Sequence, residues 1–165
     1  MNVIIHDLGS EYDEIFNGKA DKIISANGKY APCQGCFGCW TKHPAECFMK
    51  DTLHTVCRDV GRSDILTIIT ENCYGAYSPA VKNILDRSIG DSTPFSTYRG
   101  KQMHHTLRYG MGKEIQVFAY GDFTDAEEKT FTEMAQRNAY NFGYKESRFT
   151  RFEASENLES VLKQI

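Results

Sequence analysis

Short, dense apolar runs alternate along this chain with stretches whose apolar residues recur at helical spacing. Residues 2–6 (NVIIH) and 21–26 (DKIISA) read as short strands. Residues 64–70 (DILTIIT) form an almost unbroken β-branched run, the pattern of a strand buried on both faces. Residues 115–120 (IQVFAY) and 145–152 complete five strands. Between them the spacing predicts helices. A short one covers 10–17, capped by Ser10, with Tyr12, Ile15 and Phe16 on one side. The next starts at Asp51, carries Leu53, Val56, Cys57 and Val60 at i, i+3, i+4, i+7, and stops at Gly61. Ser78–Pro79 is a cap followed by a first-turn proline, opening a helix with Val81, Ile84, Leu85 and Ile89 inward. Thr124-x-x-Glu127 is a capping box for a longer helix, lined by Phe131, Met134, Ala135, Ala139 and Phe142 and ended by Gly143. A last helix is expected at 156–164, with Leu158, Val161 and Leu162. Residues 91–113 show no clear period.

Strands alternating with helices predict one α/β domain over 1–165: a doubly wound, five-stranded parallel sheet in three α/β/α layers. In such sheets ligands sit at the carboxyl ends of the strands, near the switch in strand order. Segments 7–10, 71–78 and 121–124 should therefore meet at one rim. Composition narrows the function classes. The chain is 41% hydrophobic and 25% charged, with a net charge of −3 and no basic run. A nucleic-acid binder is not expected. Nor is a membrane protein, since no apolar run approaches spanning length and the start lacks the pattern of a secretory leader. A cytoplasmic protein is expected, where clustered cysteines serve as ligands or redox groups more often than as structural disulfides.

Four of the six cysteines fall between Cys33 and Cys47, in APCQGCFGCWTKHPAEC. Thiolates bind soft metals and iron–sulfur clusters. The C-x2-C-x2-C run lets Cys33, Cys36 and Cys39 converge, Gly35 and Gly38 allow the tight backbone, and Cys47 completes a four-thiolate set. Zinc fits the same set, or three of these cysteines with His43. A dithiol at Cys33/Cys36 or Cys36/Cys39 and a merely packed loop anchored by Phe37 and Trp40 remain open. Cys57 reads as core. Asp86–Arg87 reads as an ion pair or a subunit contact.

The most specific stretch is 71–88, ENCYGAYSPAVKNILDRS: buried strand, glycine-containing aromatic loop, capped helix. Its backbone N–H and C=O groups with Tyr74 and Tyr77 suit a flat ring system, and Gly75 lets a planar ligand approach. The pattern from Tyr74 to Ser88 resembles the flavin-ring loop of the flavodoxin-like NAD(P)H-dependent FMN reductases. The cysteine spacing is similar to that of the iron–sulfur flavoproteins, a branch of that superfamily. The resemblance implies FMN as cofactor and a flavodoxin-like homodimer or tetramer. The donor or acceptor would be NAD(P)H, another small molecule or a protein. It implies that Asn72, Cys73, Tyr74, Gly75 and Ala76 border the ring, with Tyr77 and Ser78 close by. Tyr120-Gly121-Asp122 ends a strand at the ligand-bearing edge, where it is either a border of the ring or simply a turn. Chemistry would reside on FMN, with no catalytic side chain, and a 4Fe–4S cluster at the cysteines would exchange electrons with it.

One motif departs from the family. Relatives hold the FMN phosphate on a Gly-Ser-Pro-Arg-like loop after strand one. Here HDLGSEYDEIF leaves Gly9 and Ser10 as a remnant, followed by Glu11, Asp13 and Glu14. Carboxylates there favour a helix start but repel a phosphate. A basic group among Arg99, Lys101, His104, His105 and Arg108 is expected to substitute, unless the chain is a non-catalytic module whose cysteine loop serves zinc, redox sensing or dimerisation. Glu71 stands where relatives have an apolar residue or proline.

Overall fold

In the computed structural model, which describes residues 1–152 and 165, five strands form one parallel sheet. They are β1 (Asn2–His6), β2 (Lys22–Ser25), β3 (Ile65–Glu71), β6 (Gly112–Tyr120) and β7 (Tyr144–Phe152). The order β2-β1-β3-β6-β7 is the flavodoxin-like doubly wound order with one insertion. β3 lies central, Ile68 facing Ile5 of β1 and Val117 of β6 in register. That position buries both of its faces, as its β-branched run requires.

Alternation along β1 feeds two cores. Val3 and Ile5 join Leu66, Ile68, Ile115 and Val117 on the larger side. There they meet α2 (Val56–Gly61), α3 (Pro79–Asp86) and α4 (Asp125–Phe142). Ile4, Ile69 and Phe118 form a smaller core with Phe16 on the other side. The cover there is a 3-10 helix over Ser10–Phe16. Its three-residue turn brings Phe16 inward and leaves Ile15 44% exposed, against the expected apolar face. Gly9, not Ser10, is its N-cap residue.

Local chemistry fixes the helix ends. The Ser78 hydroxyl accepts from the Val81 N–H, with Pro79 in the first turn. Thr124 and Glu127 form the reciprocal capping box, and Gly143 closes α4 in the left-handed region. α3 stops at Asp86, and Ile89 falls in a separate turn. The helix expected from Asp51 begins only at Val56, because Asp51 Oδ1 is taken by the Leu53 N–H in a tight turn. The helix expected at 156–164 lies outside the described residues.

Residues 91–113 hold more structure than their pattern suggests. β4 (Ser92–Arg99) and β5 (Gln102–Leu107) form an antiparallel hairpin, with Arg99 opposite Gln102. Phe95, Tyr98 and Met103 are exposed, so no half-buried face imposes an alternation. The legible signal was the two-residue turn Gly100–Lys101, with Gly100 at φ +60°. Among the described residues no helix is long and apolar enough to cross a membrane.

Candidate functional site

The carboxyl ends of β1, β3 and β6 bring Asp7, Asn72 and Tyr120 to one rim, as the strand order demands. Asp7 ties the three strands together. Its carboxylate accepts from Thr70 Oγ1 (3.1 Å), from the Glu71 N–H (3.0 Å) and from the Tyr120 hydroxyl (2.9 Å). Burial first, then Asp7, pushes the Tyr120 phenol far above its ordinary value. Tyr120 is thus committed to Asp7, and its ring also meets Phe152 at 5.7 Å.

The phosphate end does not fit an anion. Gly9 adopts φ +108°, and a Cβ built there would lie 2.6 Å from both carboxylate oxygens of Glu11. The space over the glycine is held by a negative group. Asp13 is also engaged: its Oδ1 lies 2.9 Å from Nε2 of the fully buried His6, outside hydrogen-bond alignment. Burial lowers the His6 pKa, with Asp13 opposing. The basic side chains expected to substitute lie elsewhere. Arg108 donates to Gly90 O and Trp40 O, Arg99 to Asn141 O, and His105 stacks on Trp40 at 4.7 Å. They belong to the hairpin beyond the far end of α3, and Arg99, His105 and Arg108 are occupied in holding the cysteine loop and α4.

The ring loop is preformed. The Asn72 side chain accepts from the Gly75 N–H (2.9 Å) and donates to Asp122 O (2.7 Å). Cys73 and Ala76 exchange backbone hydrogen bonds at 3.0 and 3.1 Å. The N–H groups of Cys73, Gly75 and Ala76 are therefore used within the loop and are not presented to a ligand. Tyr74, at φ +54°, projects 89% exposed. Gly75 serves a different approach from the one expected: its bare Cα faces α4, where a Cβ would lie 3.0 Å from Glu127 O. Gly75→Ala combines this overlap with φ +78° and is expected to cost about 2–3 kcal/mol, read as a lower urea midpoint; an unchanged midpoint would show that the loop does not bear on α4. Tyr77 is core, edge-on to Phe131 with its hydroxyl beside Asn138 Nδ2, and burial raises its pKa to about 12. Ser78 is the helix cap described above. Of the ring-loop residues, Tyr74 is the one whose ring faces outward.

The second site is the cysteine loop, residues 31–51. Its neck is closed by one knot: Asp51 Oδ2 accepts from the Ala31 N–H (3.1 Å) and from Arg87 Nη1 (2.5 Å), and the same Nη1 donates to Ala31 O (3.0 Å). Asp51, not the neighbouring Asp86, is the partner of Arg87; Asp86 pairs with Lys82. Trp40 Nε1 donates to Ile89 O at 2.7 Å, docking α1 (Gly38–Thr41) beyond α3. Cys33, Cys36, Cys39 and Cys47 all line one cavity of about 20 Å³, together with Arg87. His43 is exposed and outside it. All four are free thiols, and among the described residues no three ligating groups are gathered to metal-binding distance. A volume near 20 Å³ admits one water-sized sphere, so the loop as it stands holds neither a thiolate-ligated ion nor a cluster, and either requires the cysteines to rearrange.

Cys57 is core, as its helix position suggested, and its thiol donates to Arg87 O at 3.0 Å. It also neighbours Cys39 across Gly90, where a Cβ would meet Cys57 Sγ at 2.8 Å and Cys39 Sγ at 3.2 Å. The neighbouring Cys57 thiol first, and then the charge of Arg108, pull the Cys39 thiol below its ordinary value. A larger cavity of about 410 Å³ lies beside the loop, lined by Phe37, Trp40, Ile89, Asp91, His105 and Phe142. No sequence pattern marked it, because its walls come from four separate segments.

No protein-family model matches the sequence, and no curated protein does. Solved structures do. The chain is similar to an FMN-dependent NADH-azoreductase from Bacillus anthracis in complex with FMN (TM-score 0.58, 10% identity, 99% of this chain and 92% of that one). It is similar to an NAD(P)H:quinone oxidoreductase from Methanothermobacter marburgensis (0.55, 13%, 99% and 92%). It is also similar to general stress protein 14 from Treponema denticola in complex with FMN (0.54, 11%, 99% and 91%). At these identities the likeness establishes the flavodoxin-like fold.

Proposed function

We propose that the chain is an FMN-dependent oxidoreductase of flavodoxin-like fold, with the isoalloxazine ring at 72–76 and a thiolate-held metal centre at Cys33, Cys36, Cys39 and Cys47. The observation that carries the flavin part is the exposed Tyr74 on a loop pinned by Asn72 and α4, at the rim where this strand order receives ligands. Two of the similar solved structures contain FMN, which supports it. The fit is partial. The ring end suits a flat ligand, but Glu11 occupies the phosphate position, so no anchoring by Gly9 and Ser10 is part of the proposal. When bound, FMN supplies hydride or single-electron transfer, with NAD(P)H or a protein as donor. The metal centre is a 4Fe–4S cluster in the first place and zinc in the second. A homodimer or tetramer belongs to the same proposal, the exposed Phe95, Tyr98 and Met103 being suited to a subunit contact.

A second reading is favoured by the Asp7 network and Glu11: a non-catalytic module whose rim is filled by its own side chains and whose cysteine loop binds zinc or senses redox state. FMN titration of anaerobically purified protein separates the two. Saturable quenching of FMN fluorescence, tightened up to about tenfold by Glu11→Gln through loss of one like charge, supports the first. No uptake by either protein would leave the second.

A further inference from the structure

Two thiols meet where the cysteine loop reaches the core. Cys39 belongs to α1, is partly exposed and lines the loop cavity. Cys57 belongs to α2 and is fully buried. They meet at Gly90, in the turn Ile89–Asp91 after α3. A Cβ built on Gly90 would lie 2.8 Å from Cys57 Sγ, 3.2 Å from Cys39 Sγ and 2.9 Å from Cys39 Cβ. Both sulfurs therefore border one point, which is free only because residue 90 has no side chain.

Both partners are held there. Trp40 Nε1 donates to Ile89 O at 2.7 Å and Arg108 Nη2 to Trp40 O at 3.2 Å, which docks α1 against the turn. The Cys57 thiol donates to Arg87 O at 3.0 Å, which keeps its sulfur on the side of that turn. Disulfide geometry is demanding, so two sulfurs already brought together differ from cysteines that are merely near in sequence. The C-x2-C spacing pointed to Cys33, Cys36 and Cys39 and did not reveal a partner in the core.

We propose that Cys39 and Cys57 close into a reversible disulfide by exchange with a small-molecule disulfide such as oxidised glutathione. Cys39, the reachable sulfur, attacks first as its thiolate. One glutathione thiolate leaves and a mixed disulfide forms on Cys39. Cys57 Sγ then attacks Cys39 Sγ, and its proton goes to the second glutathione as that departs. The small disulfide ends as two thiols, and the protein has lost two electrons and two protons. The new bond replaces the hydrogen bond from Cys57 to Arg87 O and ties the cysteine loop to α2. This rests on the second reading above, in which the loop senses redox state, and a Cys39 so bonded is withdrawn from any four-thiolate set.

The full chain, purified without oxygen and reduced, is equilibrated in glutathione buffers of rising oxidised fraction, then alkylated and mapped by mass spectrometry. Cys39 joined to Cys57 is the expected product. Trp40, the one tryptophan, should lose emission in step, since a neighbouring disulfide quenches indole. Oxidised protein should show a higher urea midpoint than reduced, because the bond restricts the unfolded chain. Cys39→Ser and Cys57→Ser should each abolish the crosslink and the emission change. Gly90→Ala puts a methyl between the sulfurs and should need about tenfold more oxidising buffer. If Gly90→Ala fails to fold by circular dichroism, the serine variants decide, and quenching that persists in Cys57→Ser overturns the proposal. Closure of Cys33 with Cys36, or Cys36 with Cys39, sinks the Cys39–Cys57 pair and leaves a redox-sensing loop standing. Six thiols that stay reduced throughout sink both.

Discussion

Asp51→Ala is expected to destabilise the protein by about 3 kcal/mol, seen as a lower denaturant midpoint with an unchanged slope. The side chain of Arg87 is 0% exposed and that of Asp51 21%. Removing one partner of a buried pair costs roughly 3–5 kcal/mol because the other charge is stranded, and the partial exposure of Asp51 places this pair at the lower end. The N–H groups of Ala31 and Leu53 lose an acceptor as well, so the loop should open at its neck. Burial alone would raise the Asp51 carboxyl. The hydrogen bonds from Arg87, Ala31 and Leu53 and the charge of Arg87 together outweigh it, and the carboxyl is held below its ordinary value. A carboxylate with a depressed folded pKa contributes stability that is present above its unfolded value, near 4, and lost as pH falls through the folded one. The gap between wild type and Asp51→Ala should therefore narrow in acid. Equal midpoints at pH 7 would show that the knot at residues 31, 51 and 87 does not hold the loop.

The largest pH effect is expected at Asp91. Its carboxyl is buried at the end of a 3-10 turn, and a Cβ on Gly61 would lie 3.1 Å from its own Cβ. Burial pushes its pKa up to about 8, hydrogen bonds from Ser92 and the charge of Arg99 opposing, and Cys39 adding to the rise. The folded state then keeps this proton to higher pH than the unfolded chain does. Between about pH 4 and pH 8 the folded protein binds more protons, so stability falls as pH rises, by up to about 1.4 kcal/mol per pH unit for one group. Asp91→Asn keeps the shape and removes the titration. It is expected to flatten the slope and to be the more stable protein at pH 8 by several-fold more than the error of a urea melt, on the order of 2 kcal/mol or above. Parallel pH profiles for the two proteins would place the Asp91 charge in contact with solvent.

Local chemistry was legible wherever it acted within one turn of the chain. Ser78–Pro79, the Thr124–Glu127 box and Gly143 start or stop helices through groups three or four residues apart, and the structure places all of them as their pattern states. β3 was legible because a strand between two parallel neighbours must be apolar on both faces. The hairpin was not, since exposed strands carry no burial pattern and Gly100–Lys101 alone marked its turn. Gly75 was legible as a close approach, but to α4 and not to a ligand; the identity of the approaching group lies more than 50 residues away in the chain. Tyr74 and Tyr77 differ by three positions and have opposite fates, one exposed and one core, because the left-handed turn at Tyr74 reverses the chain between them.

The sequence by itself determined the alternation of strands and helices, the rim at which β1, β3 and β6 end, and the presence of four thiols in one loop. Each of these follows from apolar periodicity or from spacing along the chain. Only the tertiary structure decided that Asp7 joins three strand ends and that a buried Arg87 closes the neck of the cysteine loop with Ala31 and Asp51. Those contacts join residues from separate segments, and a side chain's charge partner depends on where the packed core leaves it, which no local pattern encodes.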